Sequence, residues 1–309
     1  MPSKSSYLWR ALLKAGVTKD KSIDVLREKI IKDTRSLKPP KDVQITPTKV
    51  AGIPGEWLTP KSLLARNKIM IYLHGGGYVV GSPATHRSLV ARLAKACSIR
   101  ALSLDYRLAP EHPFPAALED SLTVYHEVID HGIPAENIIL AGDSAGAGLA
   151  LATLISLRDN QHPLPAMALC ISPWTDLALT GESIKTCAKS DPYISYESLK
   201  LNTHYLGSHS PHDNAPPHDP KSPLISPLYA DFSGLPPLLI HVGTDEILLS
   251  DSTRLAAQAK NAGVDVTLKI WDDMWHDFHM WAPYLPEANQ AIKEMVGFVT
   301  SHWRKQSRV

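Results

Sequence analysis

The chain has 309 residues, of which 44% are hydrophobic and 20% are charged, and 32 Lys and Arg stand against 31 Asp and Glu. The resulting formal charge of +1 gives no net field that would favour a nucleic acid or an anionic membrane surface as partner. No stretch approaches the roughly 20 apolar residues of a membrane span, so we predict a cytoplasmic protein that neither inserts stably into membranes nor binds nucleic acid.

The predicted elements begin with two amphipathic helical patterns within residues 1–40. A hairpin follows at residues 43–50 and 53–58. From residue 69 onward, short β-branched runs alternate with helical patterns, which favours an α/β fold with a mostly parallel sheet and helices on both faces. The predicted strands of this part are 69–73, 101–104, 137–141, 167–171, 238–242 and 266–271. The predicted helices are 84–97, 115–131, 147–158, 251–261 and 286–303, with Asp251 as the N-cap of the fourth.

Residues 181–222 interrupt this alternation of strands and helices. An insertion of this size within an α/β unit is usually a lid or a binding element. We predict that residues 1–40 and 181–222 together form a helical cap over the C-terminal ends of the strands, where such sheets place their sites. The α/β domain then comprises residues 41–180 and 223–309.

The segment Gly142-Asp143-Ser144-Ala145-Gly146 has the pattern G-x-S-x-G. It follows a predicted strand and opens a predicted helix, which is the context of a nucleophile elbow. Glycine is needed on both sides because the serine sits on a strained turn, where flanking side chains would clash with a neighbouring strand or helix. We therefore predict that Ser144 is a catalytic nucleophile, and that Asp143 stabilises the elbow.

The segment His74-Gly75-Gly76-Gly77 follows the predicted strand 69–73. Consecutive glycines allow backbone N–H groups to approach a substrate carbonyl. We predict an oxyanion hole formed by the N–H groups of Gly75, Gly76 and Ala145, with His74 holding the loop. The nucleotide-binding patterns G-x-x-x-x-G-K-[ST] and G-x-G-x-x-G are missing here, so no cofactor is predicted.

A nucleophilic serine needs a base, and the base needs an acid to orient it. Asp245 lies just after the predicted strand 238–242, and His276 lies in the loop after the predicted strand 266–271. Both positions belong to the sheet edge that holds Ser144, so we predict Asp245 as the acid and His276 as the base. Glu246 is the nearest alternative to Asp245, and His279 is the alternative to His276.

No metal site is predicted. The histidines of the insertion lack the spacing of a zinc site, and the cysteines show no C-x-x-C pattern. These residues are His204, His209, His212 and His218, and Cys97, Cys170 and Cys187. The cysteines are predicted to be free thiols.

Several motifs, taken together, resemble the hormone-sensitive-lipase-like branch of the α/β hydrolases, often called the bacterial family IV esterases. They are HGGGYVVGS, DYRLAPEHPFPAALED, GDSAGAGLA, LPPLLIHVGTDEILLSDS and His276-Asp277-Phe278, and the likeness covers roughly residues 40–300. The resemblance implies an α/β-hydrolase fold with a helical cap, ester hydrolysis without a cofactor, and a homodimer formed through the last strand, 266–271. Two positions depart from the family pattern: Glu246 stands where a proline is common, and Asp277 where a glycine is common.

These observations predict a serine carboxylesterase that hydrolyses small-molecule esters with short to medium acyl chains through an acyl-enzyme. An amidase or deacetylase with the same triad is an alternative that leaving-group preference would decide. A non-catalytic small-ligand receptor on the same fold is a second alternative, but receptors that resemble this family lack the catalytic histidine. Trp9, Tyr193 and Tyr205 are candidates for limiting the acyl chain because they lie in the predicted cap.

Overall fold

The structure is a computed structural model that describes residues 2–16, 22–65, 67–207 and 217–306. Its strands are β1 (Val43–Val50), β2 (Ile53–Pro60), β3 (Ile69–Leu73), β4 (Arg100–Leu104), β5 (Ile138–Asp143), β6 (Met167–Ile171), β7 (Leu238–Gly243) and β8 (Val266–Trp271). Its α-helices are α1 (Lys4–Ala15), α2 (Ile23–Thr34), α3 (Pro83–Cys97), α4 (Ala116–Asp130), α5 (Ala145–Asp159), α6 (Ser183–Thr186), α7 (Tyr196–Leu199), α8 (Asn202–Tyr205), α9 (Leu249–Asn261) and α10 (Pro286–Gln306).

The strands of the described residues form one sheet in the order β1-β2-β4-β3-β5-β6-β7-β8. The β1–β2 and β2–β4 pairs are antiparallel. The other neighbouring pairs are parallel. The predicted α/β fold with a mostly parallel sheet is therefore confirmed, with the hairpin at one edge and β8 at the other.

Helices cover both faces of this sheet, and the apolar runs of the central strands explain why. Every residue of β3, β5 and β6 is buried, as expected for parallel strands that pack on both sides. Successive side chains of β3 enter opposite cores. Ile69 and Ile71 pack with side chains of α4, α5 and α9, whereas Met70 and Tyr72 pack with those of α3 and α10.

The C-terminal ends of the parallel strands lie at one edge of the sheet, which is where such folds place their sites. The residues after these ends are Ser144 following β5, Ser172 following β6, Glu246 following β7 and His276 following β8. One edge of the sheet therefore brings together hydroxyl groups, a carboxylate and an imidazole from separate parts of the chain.

The segments predicted to form a cap contain the helices α1, α2, α6, α7 and α8. Arg27 of α2 fixes this helix to the α/β part, because its guanidinium binds Glu111 at 2.7 and 2.8 Å and donates to the carbonyl of Val79 at 2.9 Å. Ser3, next to α1, donates its backbone N–H to Glu287 at the start of α10, at 2.6 Å. The assignment of these segments to a separate cap stays a prediction.

Asp251 does not have its predicted place as a helix N-cap. Helix α9 begins at Leu249, so Asp251 lies within its first turn. Its buried carboxylate accepts hydrogen bonds of 2.8 Å from the backbone N–H groups of Thr175 and Asp176. Asp251 therefore links α9 to the chain that follows β6.

Among the helices described, none combines the length and the apolar character required to cross a lipid bilayer.

Candidate active site

Ser144 lies on a sharp turn between β5 and α5. Its φ of 52° and ψ of −122° place a non-glycine residue in a strained region, which costs on the order of 1–3 kcal/mol. Its backbone N–H donates to the carbonyl of Ile171 at 2.8 Å, so the end of β6 holds the turn in place. A Cβ atom at Gly146 would overlap the carbonyl oxygen of Leu73, which explains the glycine after Ser144-Ala145.

His276 is paired with Glu246 in the interior of the protein. Nδ1 of His276 lies 3.1 Å from Oε2 of Glu246, and both side chains are buried. The other carboxylate oxygen, Oε1, accepts hydrogen bonds from the hydroxyl of Ser172 at 2.7 Å and from the N–H of Gly243 at 2.6 Å. A buried carboxylate held in this way fixes the orientation and tautomer of an imidazole.

The prediction that Asp245 orients His276 is wrong. The Asp245 carboxylate instead forms an ion pair of 2.8 Å with Arg10 of α1, and its side chain is 25% exposed. The turn after β7 explains the difference: the N–H of Asp245 donates to the carbonyl of Met274 at 3.0 Å, while the next side chain, Glu246, folds back toward the sheet. Both acids follow the same strand in the sequence, and Glu246 is the predicted alternative to Asp245 as the residue that orients His276.

The N–H of Gly75 is already used within the protein, so its assignment to an oxyanion hole is also wrong. It donates to Oδ2 of Asp143 at 3.1 Å. Within residues 67–207, by contrast, the N–H groups of Gly76, Gly77 and Ala145 have no hydrogen-bond acceptor. Gly76 and Gly77 line the cavity at Ser144, and their positive φ angles of 118° and 63° favour glycine. Gly77 is therefore a further candidate for the oxyanion hole, which the sequence analysis did not identify.

Asp143 ties the glycine loop to the sheet and to α3. Its carboxylate accepts hydrogen bonds from the hydroxyl of Tyr72 at 2.6 Å and from the N–H of Gly75, and lies 3.1 Å from Nε2 of His86. Burial lowers the pKa of His86, but the neighbouring carboxylate of Asp143 outweighs burial and raises it. The contacts agree with the predicted role of Asp143 in stabilising the elbow.

A second carboxylate contacts the other nitrogen of His276. Oδ2 of Asp277 lies 3.0 Å from Nε2 of His276, and the Asp277 side chain is buried. Burial raises the pKa of Asp277 to about 7, although the charge of His276 acts against it. Burial lowers the pKa of His276, but Asp277 and Glu246 together outweigh burial and raise it well above its ordinary value. The imidazole therefore rests between two carboxylates.

Ser144, His276 and Asp277 face a common cavity of about 220 Å³. Apolar wall residues from the predicted cap and from the loop after β3 include Leu13, Leu26, Ile30, Val79, Val80, Tyr193 and Leu199. Of the aromatic residues proposed to limit the acyl chain, Tyr193 lines this cavity. Tyr205 instead stacks on Tyr78, with ring centroids 3.8 Å apart.

The remaining histidines near the site do not contact Glu246. His279 lies 3.3 Å from the buried His241, and burial lowers the pKa of His279 well below its ordinary value. His74 is buried beside the glycine loop, and burial lowers its pKa to about 3. In the parts of the chain that the structure describes, no three His, Cys, Asp or Glu side chains are placed to hold a metal ion. His209 and His212 lie outside the described residues.

Comparisons with known proteins give a consistent result. Residues 70–280 match a family described by the alpha/beta hydrolase fold. An acetyl-hydrolase of Streptomyces hygroscopicus is 42% identical over 84% of this chain and 83% of its own length. A crystal structure of an esterase from the bacterial hormone-sensitive lipase family is similar with a TM-score of 0.91 at 41% identity, covering 98% of this chain and 99% of that one. The crystal structure of EstE5 soaked with p-nitrophenyl butyrate has a TM-score of 0.91 at 43% identity, with the same coverage.

Proposed function

Since this chain belongs to the hormone-sensitive-lipase-like branch of the α/β hydrolases and is a carboxylic ester hydrolase, we propose that it forms its acyl-enzyme on Ser144. His276 serves as the general base and Glu246 as the acid of the triad. The observation that carries this proposal is the buried contact of 3.1 Å between His276 and Glu246, at the sheet edge where Ser144 occupies a nucleophile elbow.

The proposed reaction takes two acyl-transfer steps. Nε2 of His276 takes the proton of Ser144 as Oγ attacks the ester carbonyl, while Glu246 stabilises the imidazolium. The N–H groups of Gly76, Gly77 and Ala145 stabilise the negative oxygen of the tetrahedral intermediate. The bond to the alcohol then breaks, and the alcohol leaves with the proton from His276. A water molecule, deprotonated by His276, attacks the acyl-enzyme and releases the carboxylic acid.

The substrate proposed is an ester with a short to medium acyl chain. The cavity at Ser144 is small, at about 220 Å³, and most of its walls are apolar, which suits a hydrocarbon chain better than a charged acyl group. The walls contributed by α1, α2 and the insertion support the proposal that residues 1–40 and 181–222 form a cap above the serine.

Hydrolysis of p-nitrophenyl esters from acetate to palmitate tests this proposal. We expect the wild-type rate to fall beyond medium chains, and we expect Ser144→Ala to lower kcat by at least about 10⁴-fold. Wild-type activity that survives in Ser144→Ala would contradict the assignment of the nucleophile. Faster turnover of p-nitroanilides than of the matching esters would instead assign the triad to amide hydrolysis.

A homodimer formed through β8 is the proposed assembly. β8 pairs with β7 on one side and ends the sheet on the other, and Ile270 on this strand is 40% exposed. An exposed edge strand of this kind is a template for pairing with another chain. Light scattering of the wild type and of Ile270→Lys measures the mass directly, and a wild-type monomer at micromolar concentration would contradict the proposal.

We propose the cytoplasm as the location of the protein. The support is that Cys97, Cys170 and Cys187 are free thiols, as is usual in a reducing compartment. Cell fractionation tests this, and recovery outside the cytoplasmic fraction would contradict it.

A further inference from the structure

The nitrogen of His276 that must accept the proton of Ser144 already contacts a carboxylate. Nε2 lies 3.0 Å from Asp277, while Nδ1 lies 3.1 Å from Glu246. The distance to Asp277 is that of an ion pair between a protonated imidazole and a carboxylate, and Nε2 has no lone pair while it carries this proton. His276 is therefore unable to act as a general base in this arrangement.

The contact with His276 is the main polar interaction of the Asp277 side chain. Its second oxygen, Oδ1, is buried and has no hydrogen-bond partner among the residues described. The backbone holds the carboxylate in place: Asp277 has a φ of 52°, and its N–H donates to the hydroxyl of Ser172 at 3.2 Å. Asp277 also lines the cavity that Ser144 and His276 line.

The groups around His276 and Asp277 favour the protonated state of this pair. Titratable side chains face it from β3, α3, β5, the insertion, and the loops after β7 and β8: Tyr72, His86, Asp143, Asp191, Tyr193, Glu246 and His279. Among these, the carboxylates Asp143 and Glu246 both raise the pKa of Asp277, since they disfavour a further negative charge nearby. His86, which would offset them when protonated, contacts Asp143 at 3.1 Å, and Lys29 in the wall of the same cavity is paired with Asp33.

We propose that Asp277 is a positioning residue whose carboxylate pairs with Nε2 of His276 in the resting enzyme. This pair must separate before Ser144 can be deprotonated. The proposal rests on the proposed function of Ser144, His276 and Glu246. One proton leaves the pair for solvent, Asp277 remains as a carboxylate, and His276 keeps the proton on Nδ1. The freed lone pair of Nε2 then faces Ser144. Activity consequently begins at a higher pH than in a triad without this aspartate.

Two variants of Asp277 test this proposal, since glycine and asparagine both tolerate its left-handed backbone. In wild type, we expect the acidic limb of kcat/KM for p-nitrophenyl butyrate to have a midpoint above the ordinary histidine value of about 6.5. Asp277→Gly and Asp277→Asn should lower this midpoint by about one pH unit or more, because both remove the carboxylate that favours a proton on Nε2. One pH unit corresponds to a tenfold change in the proton equilibrium. Relative activity at pH 6 should then rise about tenfold.

Asp273→Asn is the matched control. Asp273 belongs to the same loop and also has a left-handed φ, of 57°, but its side chain is exposed. This variant should keep the wild-type midpoint. A wild-type midpoint in both Asp277 variants would overturn the proposal, as would folded variants that are inactive at every pH.

A spectroscopic readout separates this inference from the proposed function. In Ser144→Ala labelled with ¹⁵N-histidine, we expect both ring nitrogens of His276 to be protonated at pH 7. The added Asp277→Gly change should leave Nε2 unprotonated, and an unchanged spectrum would overturn the inference alone. Failure of Ser144→Ala to abolish activity would instead overturn the proposed function.

Discussion

The hydroxyl of Ser172 donates a hydrogen bond of 2.7 Å to Oε1 of Glu246, the carboxylate oxygen that does not face His276. The same hydroxyl accepts a hydrogen bond of 3.2 Å from the backbone N–H of Asp277. Ser172 follows β6, so one small side chain joins the turn after β7 to the turn after β8. The positions of Glu246 and His276 relative to each other therefore depend on a residue that takes no part in proton transfer.

Ser172→Ala should weaken both the fold and the reaction. The change leaves a buried carboxylate oxygen with one donor fewer, which costs about 1–3 kcal/mol in the free energy of unfolding. We expect kcat to fall roughly tenfold with little change in KM, since the loss disturbs the base and leaves the acyl cavity intact. Urea unfolding and steady-state kinetics measure the two effects.

Ser121→Ala is the control for Ser172→Ala. Ser121 is also buried, and its hydroxyl accepts a hydrogen bond of 2.9 Å from Thr153, away from the site. This variant should lose stability and keep the wild-type kcat. Equal losses of kcat in Ser121→Ala and Ser172→Ala would show that the effect on activity is general destabilisation.

The two adjacent acids after β7 should differ sharply in their effect on catalysis. Glu246→Gln keeps the shape of the side chain but removes the charge that stabilises the imidazolium, so we expect kcat to fall by about 10³–10⁴-fold. Asp245→Asn should change kcat by less than about tenfold, because this carboxylate binds Arg10 at the surface. Each variant is the other's control, and a larger loss in Asp245→Asn would restore the prediction made from the sequence.

The sequence pattern predicts the strands more accurately than the catalytic contacts. β3 and β6 have the predicted bounds because buried parallel strands are short apolar runs with sharp ends. The partly exposed edge strand β8 also has its predicted bounds. The choice between Asp245 and Glu246 depends on which way each side chain leaves a tight turn. That direction is set by the hydrogen bond from Asp245 to Met274, a contact between residues that are distant in the sequence.

The hydrogen bonds of the oxyanion loop could not be predicted from the sequence pattern either. The run of glycines at 75–77 indicates that backbone N–H groups are presented there, but the pattern does not say which of them are already bonded. Asp143, which is distant in the sequence, accepts a hydrogen bond from the N–H of Gly75. The resemblance to a known family likewise marks Asp277 as a departure, while its contact with Nε2 of His276 is visible only in three dimensions.

Arg10 should anchor α1 to the loops that carry the site. Its guanidinium pairs with Asp245 at 2.8 Å, donates to the carbonyls of Ser190 and Asp273 at 2.9 and 2.5 Å, and lies over the ring of Trp275. We expect Arg10→Ala to raise KM for p-nitrophenyl butyrate several-fold, because α1 forms part of the cavity wall.

In Arg10→Ala, kcat should change less than KM, since Glu246 and His276 keep their contact without Arg10. Lys14→Ala, which removes an exposed cation from the same helix, should leave both constants unchanged. Equal effects of the two substitutions would show that the net charge of α1 matters rather than this anchor.

Asp251 should make the stability of the protein depend on pH. Burial raises the pKa of Asp251 to about 7, whereas in the unfolded chain it is about 3.9. The native state therefore keeps this proton where the unfolded state has lost it, so the contribution of Asp251 is full below about pH 4 and is lost as the pH rises through about 7. The loss amounts to at most about 1.4 kcal/mol per pH unit.

Asp251→Asn should remove this dependence, because asparagine does not ionise and its carbonyl oxygen can still accept from Thr175 and Asp176. We expect the free energy of unfolding of Asp251→Asn to rise relative to wild type between pH 5 and pH 7.5, as measured by urea unfolding. Asp272→Asn, at an exposed position after β8, should show no such trend. A constant difference between Asp251→Asn and wild type across this range would mean that Asp251 is ionised throughout and that its backbone hydrogen bonds compensate for its burial.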